Sequence, residues 1–145
     1  MVLQLINTNI YGIDIPTQEN LIAATRTTEK IATYLGVDGL IVSNHGGRQL
    51  DAGQSSIMSM INLVKKYHKE ITIMVDSGLR GGPDIARAMA SGAAFTFMGR
   101  SFMYGVGALG KQGGDHSISL IKKELQQVME QLCCQTTNDF QYHLV

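Results

Sequence analysis

Tryptophan is absent from this sequence of 145 residues, and proline and cysteine occur only twice each. The two cysteines, Cys133 and Cys134, are adjacent. That spacing suits neither an ordinary disulfide nor a zinc site, so a disulfide-stapled fold is excluded and no metal is expected; the thiols read as reduced and structurally incidental. An excess of charge is lacking too: twelve Lys and Arg balance twelve Asp and Glu. Bulk charge therefore gives no reason to expect nucleic acid, an anionic membrane or a polyacidic partner, and any anion site has to be local. No apolar run approaches the roughly 20 residues that span a bilayer. The start, Met1 to Ile6, lacks the basic region of a secretory leader, which makes a cytoplasmic location the expectation.

What is present is an ordinary globular composition, 44% hydrophobic and 17% charged, of a size that suits one domain. Three short apolar runs stand out: Asp38 to Ser43, Ile71 to Val75 and Ala93 to Met98. They are continuous rather than alternating, the pattern of parallel strands covered on both faces. Helical patterns lie between them. Ile57, Met60, Ile61 and Val64 recur at helical spacing behind Ser55 and Ser56, and Pro83-Asp84 opens a helix that stops at Gly92. A further helix is expected from about Thr27 to Gly36, and a last one after Asp115 with the apolar stripe Ile118, Ile121, Leu125, Val128, Met129 and Leu132. Alternation of helix and strand predicts an α/β fold of parallel β/α units, about half of a (β/α)8 TIM barrel. Residues 27–145 are expected to form that half-barrel; before them, Ile15-Pro16 and the apolar stretch Leu21 to Ala24 suggest a turn leading into one more strand.

In such folds ligands bind beyond the carboxyl ends of the strands. The residues there are polar and rich in glycine: Ser43-Asn44-His45-Gly46-Gly47-Arg48-Gln49-Leu50-Asp51, then Asp76-Ser77-Gly78-Leu79-Arg80-Gly81-Gly82, then Gly99-Arg100. His45 is a candidate general base, since imidazole titrates near neutrality. Arg48 offers a planar fork for a carboxylate. Glycine N–H groups with Arg80 and Arg100 make a cradle for a phosphate, and Asp76 can accept from sugar or ribityl hydroxyls. Taken singly, each has a plainer reading: a turn cap for His45, a surface pair of Arg48 with Asp51, rim salt bridges for Arg80 and Arg100. Their recurrence at three consecutive strand ends favours the functional one.

Gly105 to Gly110 satisfies G-x-G-x-x-G to the letter. It follows no strand directly, and no acidic residue stands on a following strand about twenty positions on, so a dinucleotide site is rejected in favour of a flexible connection into the last helix.

The segment Ser43 to Asp51 closely resembles the active-site signature of the FMN-dependent α-hydroxy-acid oxidases and dehydrogenases, the family of lactate oxidase and glycolate oxidase. Asp76 to Arg80 and Gly99-Arg100 are similar to its flavin-phosphate segments at the proper distances, so the likeness covers about residues 27–135. It implies FMN as cofactor and oxidation of a small L-2-hydroxy acid, L-lactate by general look, to the 2-oxo acid. It implies His45 as catalytic and substrate-contacting base and Arg48 as the holder of the substrate carboxylate. Ser43, Asp76, Ser77, Gly78, Leu79, Arg80, Gly99 and Arg100 correspond to residues lining the flavin. Val2 to Gln4, Thr8 to Pro16 and Leu21 to Thr25 resemble the stretch leading into the first barrel strand, which implies that residues 1–26 are a remnant of the barrel entry and first strand and that strands two to five are absent. The family's flavin-contacting lysine has no counterpart, for no Lys lies between Met1 and Lys30.

Two readings from different classes stand side by side: part of a flavin oxidoreductase, or a catalytically inactive remnant acting as a phosphate-binding or association module. Another FMN or phosphate barrel fits the half-barrel but not Ser43 to Arg48. An incomplete barrel leaves apolar strand edges, and association with a second copy is expected from them.

Overall fold

The computed structural model describes residues 2–6, 11–12, 38–45 and 54–144. Strands β1 (Val2–Ile6), β2 (Tyr11–Gly12), β3 (Gly39–Ser43), β4 (Thr72–Asp76) and β5 (Phe95–Phe97) form one sheet in the order β2-β1-β3-β4-β5. Helices α1 (Ser56–Tyr67) and α2 (Gly82–Ala90) make the crossovers from β3 to β4 and from β4 to β5, while α3 (Arg100–Leu109) and α4 (Gly113–Gln131) follow the sheet. β3, β4 and β5 are mutually parallel, with Leu40 beside Ile73 and Val75 beside Thr96. These three β/α units are the partial parallel barrel anticipated from the apolar runs. The expected helix from Thr27 to Gly36, the expected strand Leu21 to Ala24, and Gly46 to Asp51 lie outside the described residues.

Two features depart from expectation. The amino-terminal segment contributes β1, which pairs antiparallel along the whole of β3, Val2 beside Ser43 through Ile6 beside Gly39. Alternating patterns four or five residues long are weak signals, and antiparallel pairing in a parallel context is not written in a single strand. Gly105 to Gly110 is also no flexible connection. Gly105 lies inside α3, and a Cβ there would collide with Ser117 Oγ and the Gly113 carbonyl. Its role is close approach of α3 to α4, so a residue that costs helix propensity is kept for packing.

Residues that face α1 and α2 from the sheet, Leu40, Val42, Ile73 and Val75, pack with Met60, Leu63, Ala88 and Ala93 into one buried cluster. Ser55 caps α1, its hydroxyl accepting from Met58 N at 3.5 Å. Pro83 stands in the first turn of α2, and Gly92, at φ +100°, ends it. The stripe on α4 is less deeply covered than its periodicity suggests: its buried residues are Gly113 and Ser117, and Ile118 is exposed. At its end Cys133 takes φ 56°, its N–H donating to Glu130 O and that of Cys134 to Met129 O. That pair of bonds is a left-handed helix stop, so Cys133 is more than incidental. Burial first, then the carboxylate of Asp139, raises the Cys134 thiol above its ordinary value, which favours the thiol over the thiolate. No described helix is long and apolar enough to cross a membrane.

Candidate functional site

A cleft of about 900 Å³ opens at the carboxyl ends of β3, β4 and β5. Asn44 and His45 line it from the first strand end, Asp76, Ser77, Gly78 and Leu79 from the second, and Gly99 and Arg100 from the third. Parallel strands in register dictate this convergence, because each strand ends at the same level and hands its next residues to the same rim.

Beneath the rim lies a hydroxyl network. Ser43, 2% exposed, donates from Oγ to Asp76 Oδ2 at 2.8 Å and accepts from His45 N at 3.2 Å. Ser77 Oγ donates to the same carboxylate oxygen at 3.3 Å and accepts from Asn44 N at 3.2 Å. Ser56 Oγ, at the start of α1, donates to Ser77 O at 2.9 Å. Ser77 adopts φ 79° and Gly78 φ 88°, so two successive residues in the left-handed region turn the chain sharply after β4. For Ser77 this conformation is strained and is held by those three groups.

The phosphate-cradle candidates are tied together by backbone contacts. Asp84 Oδ2 accepts from Arg80 N at 2.9 Å, and Ser101 Oγ donates to Arg80 O at 2.7 Å. Glu124 of α4 accepts from Gly82 N at 2.8 Å. Asp84 also pairs with Arg87 at 3.2 Å. No side chain caps α3, whose amino terminus at Gly99-Arg100 faces the cleft.

Of the residues singled out in the sequence, the structure gathers His45, Asp76, Ser77, Gly78, Leu79, Gly99 and Arg100 around one opening. Ser43 sits under it as the link between Asp76 and the His45 backbone. Arg80 is exposed and stands apart from the cleft lining, and Arg48 lies outside the described residues. Asn44 and Ser56 were not singled out from the sequence. Asn44 is carried by the recognised motif, but Ser56 reads only as part of a helix start. Among the described residues no group of His, Cys, Asp and Glu is arranged to hold a metal ion.

The geometry fits a flavin phosphate and a polar chain leading to it. A Cβ built on Gly78 or Gly99 would meet nothing within 4 Å, so both backbones are open to a ligand. Asn44 Oδ1 is buried without a hydrogen-bond partner among the described residues, which leaves one acceptor for a donor from a bound group. The cleft is at the large end of ordinary ligand pockets, roughly 300–1,000 Å³.

Comparison with known proteins bears on this opening. Residues 24–145 match the model of the FMN-dependent dehydrogenase family. Over 100 residues the chain is 44% identical to L-lactate dehydrogenases of Actinobacillus pleuropneumoniae serotype 5b and Haemophilus influenzae strain PittEE, which is 69% of this chain and 26% of either relative. The L-lactate dehydrogenase of Alcaligenes faecalis is 43% identical over 98 residues. Among solved structures, a mandelate oxidase with benzoyl-formic acid superposes with TM-score 0.73 at 31% identity, over 79% of this chain and 34% of that one. A mandelate oxidase variant carrying a monooxide FMN adduct gives 0.72. The chain thus spans about a quarter of the length of the curated relatives it matches.

Proposed function

Because the chain belongs to the FMN-dependent dehydrogenase family, we propose that it supplies the proton-accepting and phosphate-holding part of an enzyme that oxidises an L-2-hydroxy acid, L-lactate first, to the 2-oxo acid. The carrying observation is the convergence of His45, the Asp76 to Leu79 turn and Gly99-Arg100 on one cleft. Lactate is preferred because the relatives at 43–44% identity are L-lactate dehydrogenases. FMN, when bound, accepts the two electrons that leave the substrate.

The residues divide the work by their positions. His45, its backbone fixed through Ser43, takes the proton of the substrate. Arg48 holds the substrate carboxylate by a charge-assisted fork. Gly99, Arg100 and the amino terminus of α3 hold the phosphate, with Arg80 joining from the neighbouring loop. Asp76, Ser77, Gly78 and Leu79 line the chain between phosphate and ring. In this reading residues 27–145 carry the site and residues 1–26 do not.

The test is a chimera in which the matching segment of the Haemophilus influenzae relative is replaced by this one. It should oxidise L-lactate; His45→Gln should stay yellow and lose turnover, and Arg48→Met should mainly raise KM. Arg100→Ala should weaken FMN by more than tenfold and riboflavin little, since a charge-assisted contact contributes roughly 1.5–3 kcal/mol. Near-normal turnover of His45→Gln would sink the assignment.

A second reading is supported by length: the chain matches 26% of its relatives, and no Lys stands between Met1 and Lys30. In that reading the 145-residue chain alone is catalytically silent and binds FMN weakly. Stoichiometric flavin that bleaches with L-lactate in the purified chain would overturn it.

A further inference from the structure

The bonds that hold the turn after β4 act on two different parts of it. Ser77 Oγ donates to Asp76 Oδ2 and accepts from Asn44 N, which fixes the side chain but not the peptide that follows. Ser56 acts on that peptide: its Oγ donates to Ser77 O at 2.9 Å across 21 residues of chain. Among the described residues it is the one donor to this carbonyl. Ser56 is 5% exposed, opens α1 and lines the cleft. Its place is set by the helix, which Ser55 caps and which Met60 and Leu63 anchor in the buried cluster.

The Ser77–Gly78 peptide needs such a hold. Glycine takes positive and negative φ about equally well, so a peptide that precedes it can turn over with little opposition from the residue behind. In a trans peptide the carbonyl and the following N–H point in opposite directions. With Ser77 O turned to Ser56, the Gly78 N–H is directed away from α1, and it has no hydrogen-bond partner among the described residues. Gly78 lines the cleft, and a Cβ built on it would meet only open space. Turned over, the same peptide would present an acceptor where it now presents a donor.

We infer that Ser56 is a positioning residue of the cofactor site: its hydroxyl sets the Ser77–Gly78 peptide so that the Gly78 N–H donates to the phosphate of FMN, beside Gly99 and Arg100. The inference rests on the reading of the cleft as a flavin site. Its effect is specific to an anion. A phosphate oxygen accepts, so an N–H matches it and a carbonyl opposes it, whereas an uncharged hydroxyl both donates and accepts and is served by either. Ser56 therefore acts on the charged end of the cofactor. The base is held separately, since the His45 N–H donates to Ser43.

The experiment uses the 145-residue chain. Without flavin, the nuclear Overhauser effect from Ser77 Hα to the Gly78 amide proton reports how the peptide is turned. It should change in Ser56→Ala and return in Ser56→Thr, which restores the hydroxyl. Titration with FMN and with riboflavin, followed by flavin fluorescence, then reads the ligand: Ser56→Ala should weaken FMN at least about tenfold and riboflavin less than about twofold, and Ser56→Thr should bind FMN like the unaltered chain. An unmoved Ser77–Gly78 signal, a loss shared equally by the two flavins, or no rescue by threonine would each overturn the proposal. FMN binding that Ser56→Ala leaves intact overturns this inference alone, whereas an unaltered chain that binds no FMN overturns the reading of the cleft and the inference with it. Should Ser56→Ala lose the folded far-ultraviolet spectrum, Ser56→Cys, close in size and a weak donor, takes its place under the same expectations.

Discussion

On the helix side of the parallel strands Leu40, Val42, Ile73 and Val75 are at most 3% exposed, whereas on the opposite side Phe95 and Phe97 are 58% and 36% exposed. The carboxyl end of that second side carries Ser43 and Asp76, bonded to each other. The two faces come from the same strands, residue by residue in alternation. One is sealed by α1 and α2 and contributes burial, about 25 cal/mol for each Å² of apolar surface removed from water. The other bonds Ser43 and Ser77 to Asp76 beneath an opening, with Asn44 Oδ1 left as a buried acceptor without a partner among the described residues. Stability and chemistry are therefore separated across a single layer of backbone. Substitutions on one face should leave the other nearly untouched.

The largest effect should come from the sealed face. Met60 is 0% exposed inside the cluster of Val42, Leu63 and Val75. Met60→Ala removes packed side-chain atoms and leaves a cavity, so it should cost about 2–5 kcal/mol in denaturant unfolding. A cost below about 1 kcal/mol would mean that α1 is not seated against the sheet through this side chain.

A smaller effect is expected across the sheet from Ser43→Ala. The lost hydroxyl leaves Asp76 Oδ2 one donor fewer and the His45 N–H without its acceptor. About 1 kcal/mol of stability should go, the ordinary net contribution of a hydrogen bond and less than the cavity left by Met60→Ala. The more telling readout is at His45: its ring resonances should broaden or shift in Ser43→Ala and stay in place in Met60→Ala. Equal disturbance of His45 by both variants would break the separation of faces.

Much of this arrangement was legible in the sequence because it rests on local signals. Apolar runs fix β3, β4 and β5 to within two residues; Ser55, Pro83 and Gly92 punctuate α1 and α2; polar residues after each run mark one rim. What was missed depends on contacts distant in the chain. The antiparallel pairing of β1 with β3 is specified by the unpaired edge of β3 and by no feature of Val2 to Ile6 alone. Gly105 looks like a hinge until α4 is laid against it. The anchoring of Arg80, whose backbone O accepts from Ser101 at the next strand end, is likewise a contact that its motif does not record.

The smallest effect concerns the outer layer at the carboxyl end, where the short 3-10 segment Thr137–His143 packs on α2 and buries Phe140. Asp139 closes a capping box there, its Oδ2 accepting from Thr136 N at 2.8 Å and from Gln135 N at 2.9 Å. The Thr136 bond above all, aided by that of Gln135 and opposed by desolvation, holds the carboxyl below its ordinary value. A group whose folded value is depressed contributes stability above the ordinary carboxylate range, and that contribution is lost as pH falls through the range toward the folded value. Acidification should therefore loosen the Gln135 and Thr136 amides first, seen as faster hydrogen exchange at those two positions while the amides of β4 stay protected. Asp139→Asn should exchange quickly at those positions already at neutral pH and lose the pH dependence. Exchange at Gln135 and Thr136 that ignores acid in the unaltered chain would show that the box, and with it this anchoring of the outer layer, does not depend on the ionised carboxylate.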